Sequence, residues 1–282
     1  MKNAMFMGFL FGAMAVNGHG NDGIFAFKIG QFEVFTLIES ERAGNAGILV
    51  GADTDVLNRY IPAEGFRSSA NAFLIKAAGL NILIDTGMGT GNIIVDKIRS
   101  LGVAPENIDA VLITHLHGDH FGSLQRNGSA VFPNAKIYIS ERELNYFTKT
   151  NVNQNAAAAL APYSSQIVSF EPEGFDRGQE ILPGITPVAA YGHTPGHTVY
   201  IIENGGEKLL VIGDLLHVAP VQFPVPDINA TYDMDAAASA AMRKMVLEYA
   251  AKNRMFVGGM HIAYPGIGTI EADGSGFKFT PR

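Results

Sequence analysis

The chain has no cysteine, which excludes disulfides and thiolate metal sites, so any metal ligand must be a histidine, a carboxylate or a carbonyl oxygen. It also lacks tryptophan. Charged residues make up only 17% of the 282 positions, the formal net charge is -7, and no run of Lys or Arg exists to track phosphates. That balance argues against a nucleic-acid surface. Beyond residue 16, no stretch approaches the ~18 uninterrupted apolar residues that a membrane span needs. No transmembrane segment is expected in the body.

What is abundant points to a folded enzyme-like domain. Hydrophobic residues reach 47%, enough for a sizeable core, and 32 glycines favour short strands joined by many turns. At the amino terminus, Met1-Lys2-Asn3 precedes an apolar run, Ala4 to Val16, with a small-x-small site at Ala13-Met14-Ala15. Residues 1–15 read as a signal peptide, which makes the protein periplasmic or secreted. The alternative is an uncleaved arm on a cytoplasmic protein, packed against a partner subunit in a homodimer. The remainder, 24–282, reads as one domain, because a boundary within it would divide the motifs described next.

Thr114-His115-Leu116-His117-Gly118-Asp119-His120 gathers four metal-ligating side chains into six residues, directly after the apolar run Ala110–Ile113. Imidazole nitrogen and carboxylate oxygen together suit zinc and its neighbours. Three further stations could complete the ligand shells: Gly192-His193-Thr194-Pro195-Gly196-His197-Thr198, Gly213-Asp214 and Gly259-Met260-His261. Each adjoins an apolar run or a Gly-rich turn, where an α/β protein exposes side chains at the carboxyl ends of its strands.

The patterning around these stations alternates strands and helices. Ala26–Ile29 and Phe32–Ile38 form an opening hairpin, and Asn71–Lys76 with Asn81–Asp85 form a second through Ala78-Gly79. The segment between them, 43–69, reads as irregular. Helical spacing follows at 92–101, at Glu141–Phe147 and at 235–252, with strands near 135–139, 166–170, 185–190, 198–203, 208–213 and 254–258. Asn155–Leu160 reads as a short helix or a lid within 149–162. Two β-rich halves, each with helices outside, predict an α/β fold in which two sheets pack face to face in the layer order helix, sheet, sheet, helix.

Within that frame, His115, His117 and His197 are expected to hold one metal. Asp119, His120 and His261 are expected to hold a second, with the Asp214 carboxylate bridging them. Two metals about 3.5–4 Å apart can hold a hydroxide whose parent water has its pKa lowered toward neutrality, which supplies the nucleophile. Asp119 or Asp214 would carry a proton to the leaving group. Asp85, at the end of an apolar strand, is expected to accept the free N–H of a ligating histidine. His193 is expected to order its turn, and His217 to line the pocket. Two divalent ions are implied, zinc first, with Mn, Fe or Co also suited to this donor set.

These residues resemble the metallo-β-lactamase superfamily, whose HxHxDH motif, distant His, bridging Asp and final His match the positions above over the whole chain after the leader. The resemblance implies an αββα four-layer sandwich, the metallo-β-lactamase fold, with two mixed β-sheets. Gly213–Phe223 and His261–Gly268 are most similar to the methyl parathion hydrolase branch, close to the N-acyl homoserine lactone lactonases. In that branch an aromatic cluster cradles the substrate, and Tyr146-Phe147 matches part of it. The implied activity is hydrolysis of a small lactone or ester, with phosphotriesters as secondary substrates. A zinc β-lactamase and a mononuclear iron persulfide dioxygenase are the competing readings, the latter sharing HxHxDH.

Overall fold

The computed structural model describes residues 22–282, and the expected signal peptide at 1–15 lies outside them. Seven strands build the first sheet in chain order: β1 (Ile24–Ile29), β2 (Phe32–Ala43), β3 (Arg67–Ala77), β4 (Leu80–Ile84), β5 (Ala110–Leu112), β6 (Lys136–Ser140) and β7 (Ile167–Phe170). Pairing is antiparallel from β1 to β4 and parallel from β4 to β7. Six strands make the second: β8 (Ile185–Ala189), β9 (Thr198–Asn204), β10 (Glu207–Val211), β11 (Phe256–Gly258), β12 (Ile267–Asp273) and β13 (Gly276–Pro281). Only the β10–β11 pair there is parallel. Both sheets are therefore mixed, as expected.

Strand alternation explains why the sheets stack. Phe73 and Ile75 of β3 and Ile82 and Ile84 of β4 point inward and meet Ile185, Tyr200, Ile202, Leu209 and Val211 of the second sheet. The intervening Leu74 and Leu83 point outward, onto Ile94 and Ile98 of a helix. Each such side chain contributes about 1.5–3 kcal/mol by leaving water, so a one-residue register slip would expose a full row. The second sheet does the same on its outer face, where Val199, Ile201 and Leu210 pack against Val246, Leu247 and Ala250.

Among the described residues, seven α-helices complete the layers: α1 (Thr54–Tyr60), α2 (Ile93–Ser100), α3 (Gly118–Phe121), α4 (Glu141–Asn145), α5 (Gln154–Leu160), α6 (Ala219–Gln222) and α7 (Ala236–Lys252). Helix α1 corrects the irregular reading of 43–69. The Asp53 carboxylate caps it by accepting the Val56 N–H at 2.8 Å, and Val56 and Leu57 pack on a small apolar cluster with Val218 and Val221. Helix α5 is no lid, because Ala156, Ala159 and Leu160 are buried in the core behind the first sheet. No described helix is long and apolar enough to cross a membrane.

Candidate metal centre

The carboxyl ends of β4, β5, β8, β10 and β11 open on one edge of the sandwich, together with the end of β2 and the start of β3. The loops leaving that edge carry His115–His120, His193, Asp214 and His261. Two clusters result: His115, His117, His193 and Asp214, and Asp119, His120, Asp214 and His261.

In the first cluster, His193 Nε2 lies 3.2 Å from His115 Nε2 and 3.0 Å from His117 Nδ1, which are themselves 3.1 Å apart. Asp214 Oδ2 is 3.7 Å from His115 Nε2 and 3.6 Å from His193 Nε2. In the second, His120 Nε2 stands 3.2 Å from Asp214 Oδ1 and 3.6 Å from Asp119 Oδ1, and His261 Nε2 stands 3.1 Å from Asp214 Oδ2 and 3.5 Å from Asp119 Oδ2. Ligands at zinc distances in a tetrahedron sit about 3.3 Å apart, so these spacings have the size of a cation's shell and the residues could hold one. His120 Nε2 and Asp214 Oδ1 are buried and complete no hydrogen bond among the described residues, as expected of atoms turned toward a cation.

The partners behind each ring leave the inward nitrogen bare. Asp85 Oδ2 lies 2.7 Å from His120 Nδ1 and accepts the Thr114 hydroxyl, while Oδ1 accepts the Thr114 N–H. Asp85, expected to face a histidine of the motif, faces His120. Its backbone is left-handed, at φ 55, an arrangement costing about 1–3 kcal/mol that aims the carboxylate at α3. His261 Nδ1 donates to the Ser69 carbonyl at 2.9 Å, and His193 Nδ1 faces Asp233 Oδ1 at 3.0 Å.

His193 therefore takes the place expected for His197. His197 is buried beneath the site, where Nδ1 donates to the Ala190 carbonyl at 3.1 Å and Nε2 accepts the Asp214 N–H at 3.1 Å. The reason lies in strand direction. His193 follows the carboxyl end of β8, whereas His197 immediately precedes β9 and is drawn between the sheets. Gly213 permits the contact, since a Cβ there would meet His197 Nε2 at 2.5 Å.

Charge follows the same division. Burial and the neighbouring His193 hold the His117 imidazole down at about 4 and that of His197 at about 3, and burial with His120 holds His115 well below its ordinary value. Burial alone would lower His120 and His261 too. Asp214 and Asp119 nonetheless carry both above the ordinary histidine value, with Asp85 assisting at His120. His115 and His117 thus favour the neutral imidazole that a cation requires, while Asp214 and Asp119 concentrate negative charge in the second cluster.

A cleft of about 670 Å³ opens over both clusters. His217 lines it, with Nε2 3.2 Å from Asp214 Oδ2, its ring stacked on His261 and tilted at 46° to Tyr232. Tyr146 and Phe147 do not line it. Phe147 is buried against the core and meets the His117 ring edge-on at 6.1 Å, so it packs behind His117 rather than facing the cleft. Arg42, Asn45, Ser68 and Tyr232, which line the cleft, were not anticipated from the sequence. Neither was Glu143, whose buried carboxylate accepts the Leu116 and Gly196 N–H groups and the Thr194 hydroxyl, tying the two histidine loops together. No spacing signal marks these residues.

The family profile described as metallo-beta-lactamase superfamily matches residues 65–259, spanning every residue of the two clusters but His261. The chain belongs to this superfamily. Among curated members, YobT of Bacillus subtilis (strain 168), which is uncharacterized, is 28% identical over 148 residues, covering 51% of this chain and 60% of that protein. An N-acyl homoserine lactonase of a Bacillus species is 26% identical over 167 residues, covering 58% and 61%. Ribonuclease TTHA0252 of Thermus thermophilus is 25% identical over 185 residues, covering 62% and 42%. The matches thus span between 42% and 61% of those relatives' own lengths. Two solved structures are similar throughout: the hydrolase AbOPH, and AidC, a dizinc quorum-quenching lactonase in complex with a product. Each has a TM-score of 0.82 and 25% identity, covering 92% of this chain and 97% of the other. The superfamily neighbours are metal-dependent hydrolases, in line with the branch that the sequence resembles.

Proposed function

We propose that this protein is a dinuclear metal-dependent hydrolase that opens a lactone or ester carbonyl, with phosphotriesters as secondary substrates. The observation that carries the reading is Asp214. Its Oδ2 lies within 3.7 Å of histidines of both clusters, while Oδ1 faces His120. One carboxylate would thus be shared by the residues that hold each of two cations. The donor set is nitrogen and oxygen without sulfur, which suits zinc first and Mn, Fe or Co next. When bound, such a pair lowers the pKa of a shared water toward ~7 and polarises a carbonyl oxygen.

The chain's own residues do the rest. His115, His117 and His193 hold one ion, Asp119, His120 and His261 the other, and His197 fixes the Asp214 backbone. Burial alone would raise the Asp214 carboxyl, but His120, His261, His217 and His115 hold it well below the usual range, so it stays ionised. Asp119, with 32% of its side chain exposed, faces the cleft and can carry a proton to the leaving alkoxide. The stacked His261 and His217 rings and the inclined Tyr232 ring make one wall, with Ile48 and Ala43 as apolar lining and Arg42, Asn45 and Ser68 as polar lining. Such a mixture fits a small amphipathic acyl compound.

Metal-free protein reconstituted separately with Zn, Mn, Fe or Co, then assayed on a homoserine lactone, a nitrophenyl ester, methyl parathion and a cephalosporin, tests the reading. Lactone or ester turnover should dominate with two ions bound. Predominant cephalosporin turnover, or a single iron per chain with none of the four substrates turned over, would overturn it.

A further inference from the structure

Arg243, midway along α7, is the largest side chain buried completely. Sequestering a guanidinium is costly unless all its donors are met. Here they are, and the acceptors lie on segments that reach the metal centre. Nε donates to the Leu215 carbonyl at 2.5 Å, one residue beyond Asp214. Nη1 donates to the Pro226 and Ile228 carbonyls at 2.8 and 2.9 Å. Nη2 donates to Ser239 Oγ at 3.1 Å and to Asp233 Oδ2 at 3.2 Å. The other Asp233 oxygen, Oδ1, faces His193 Nδ1, and the Ala230 N–H closes on Oδ2 at 2.9 Å.

A helix of the outer layer therefore reaches the site through the chain Arg243, Asp233, His193. We infer that Arg243 is a positioning residue that sets the metal affinity of the His115–His117–His193 cluster, acting through Asp233 without touching the ion. The fork of Arg243 fixes both the 226–233 loop and the turn after Asp214. Asp233 then has one place to stand, and the His193 ring one orientation, with Nε2 turned inward. Lysine cannot reproduce this, because a single ammonium cannot span the Leu215 carbonyl and the Asp233 carboxylate in the same plane. No histidine of the Asp119–His120–His261 cluster leans on Asp233: Asp85 and the Ser69 carbonyl brace its rings, and only the shared Asp214 neighbours the Arg243 fork. The inference rests on the two-cluster reading proposed above.

Zn²⁺ affinity, measured against a chromogenic chelator, separates the outcomes when each cluster is taken alone. His261→Ala leaves the His193 cluster intact and His117→Ala leaves the Asp119 cluster. Arg243→Lys should weaken Zn²⁺ binding about 10–100-fold in the first background, the usual cost of losing an outer hydrogen-bond partner, and less than about 3-fold in the second. Asp233→Asn, which keeps the shape, should give the same selective loss, and combining the two should add little. Asp233→Asn alone decides the matter if Arg243→Lys fails to fold. Equal losses in both backgrounds, or unchanged affinity in the first, would reduce Arg243 to a core filler. Wild-type protein that binds two ions while the variants bind as tightly overturns only this inference; wild-type protein that binds none overturns the two-cluster reading along with it.

Discussion

The two clusters share Asp214 but are braced by different means. His120 leans on Asp85, whose other partners are the N–H and hydroxyl of Thr114, so strand ends β4 and β5 supply everything. His193 leans on Asp233, and Asp233 leans on Arg243 from α7. Burial alone would raise the Asp233 carboxyl, but the His193 hydrogen bond, the Ala230 N–H and Arg243 hold it at about 2. Burial instead pushes Asp85 up, with His120 and Thr114 opposing only in part. One cluster is thus braced locally by a carboxylate that is expensive to ionise, and the other remotely by a carboxylate with a cation at its back. Changes around α7 should reach only the His115–His117–His193 cluster.

The largest effect should come from removing what the clusters share. Asp214→Ala should abolish turnover and lower the occupancy of at least one ion, read by elemental analysis alongside lactone hydrolysis. Two retained ions with near-normal rates would remove Asp214 from its bridging place. Phe147→Ala comes next and bears on the first cluster alone. It should destabilise the fold by about 3–5 kcal/mol, the usual cost of a buried aromatic, read by denaturant unfolding. KM should stay near wild type, whereas a raised KM with unchanged stability would return Phe147 to the cleft wall.

Asp85→Asn should weaken the second cluster about 10–100-fold while sparing the first, the mirror image of Asp233→Asn. Loss from both clusters alike would end the distinction between local and remote bracing. The smallest effect concerns Glu39, which supports the second cluster from behind. Its carboxylate accepts the Met88 and Thr90 N–H groups, and the turn so held receives the Gly122 N–H after α3. Burial raises the Glu39 carboxyl above its ordinary 4.5. The fold therefore favours the protonated form, and the stability this confers is complete below 4.5 and is lost as pH rises through the raised value. Wild-type unfolding free energy should fall more over that rise than that of Glu39→Gln. Parallel pH curves would show that Glu39 adds nothing to the pH response.

How much of this was legible in the sequence varies with the kind of information required. Alternation in Asn71–Lys76 and Asn81–Asp85 was enough to pair β3 with β4, because a single face of each strand is buried in each layer. The grouping of His115–His120 was legible for the same local reason: one loop after one apolar strand carries all four candidate ligands. His193 and His197 both flank one turn, and spacing alone does not say which side of it meets the metal. The carboxyl-end rule applied to β8 selects His193, while the start of β9 draws His197 inward. Asp233 and Arg243 lay beyond reach, since their pairing depends on how α7 crosses the second sheet. Helix α1 was hidden because its burial is confined to a small satellite cluster. The Asp53 cap was its one local sign.

Native mass spectrometry of the zinc-reconstituted chain tests most directly the claim that two clusters, completed by His193 and His261, share Asp214. Wild type and His197→Gln should each carry two zinc ions per chain, and His193→Ala and His261→Ala one. A single ion in wild type, or two in His193→Ala with one in His197→Gln, would contradict the account.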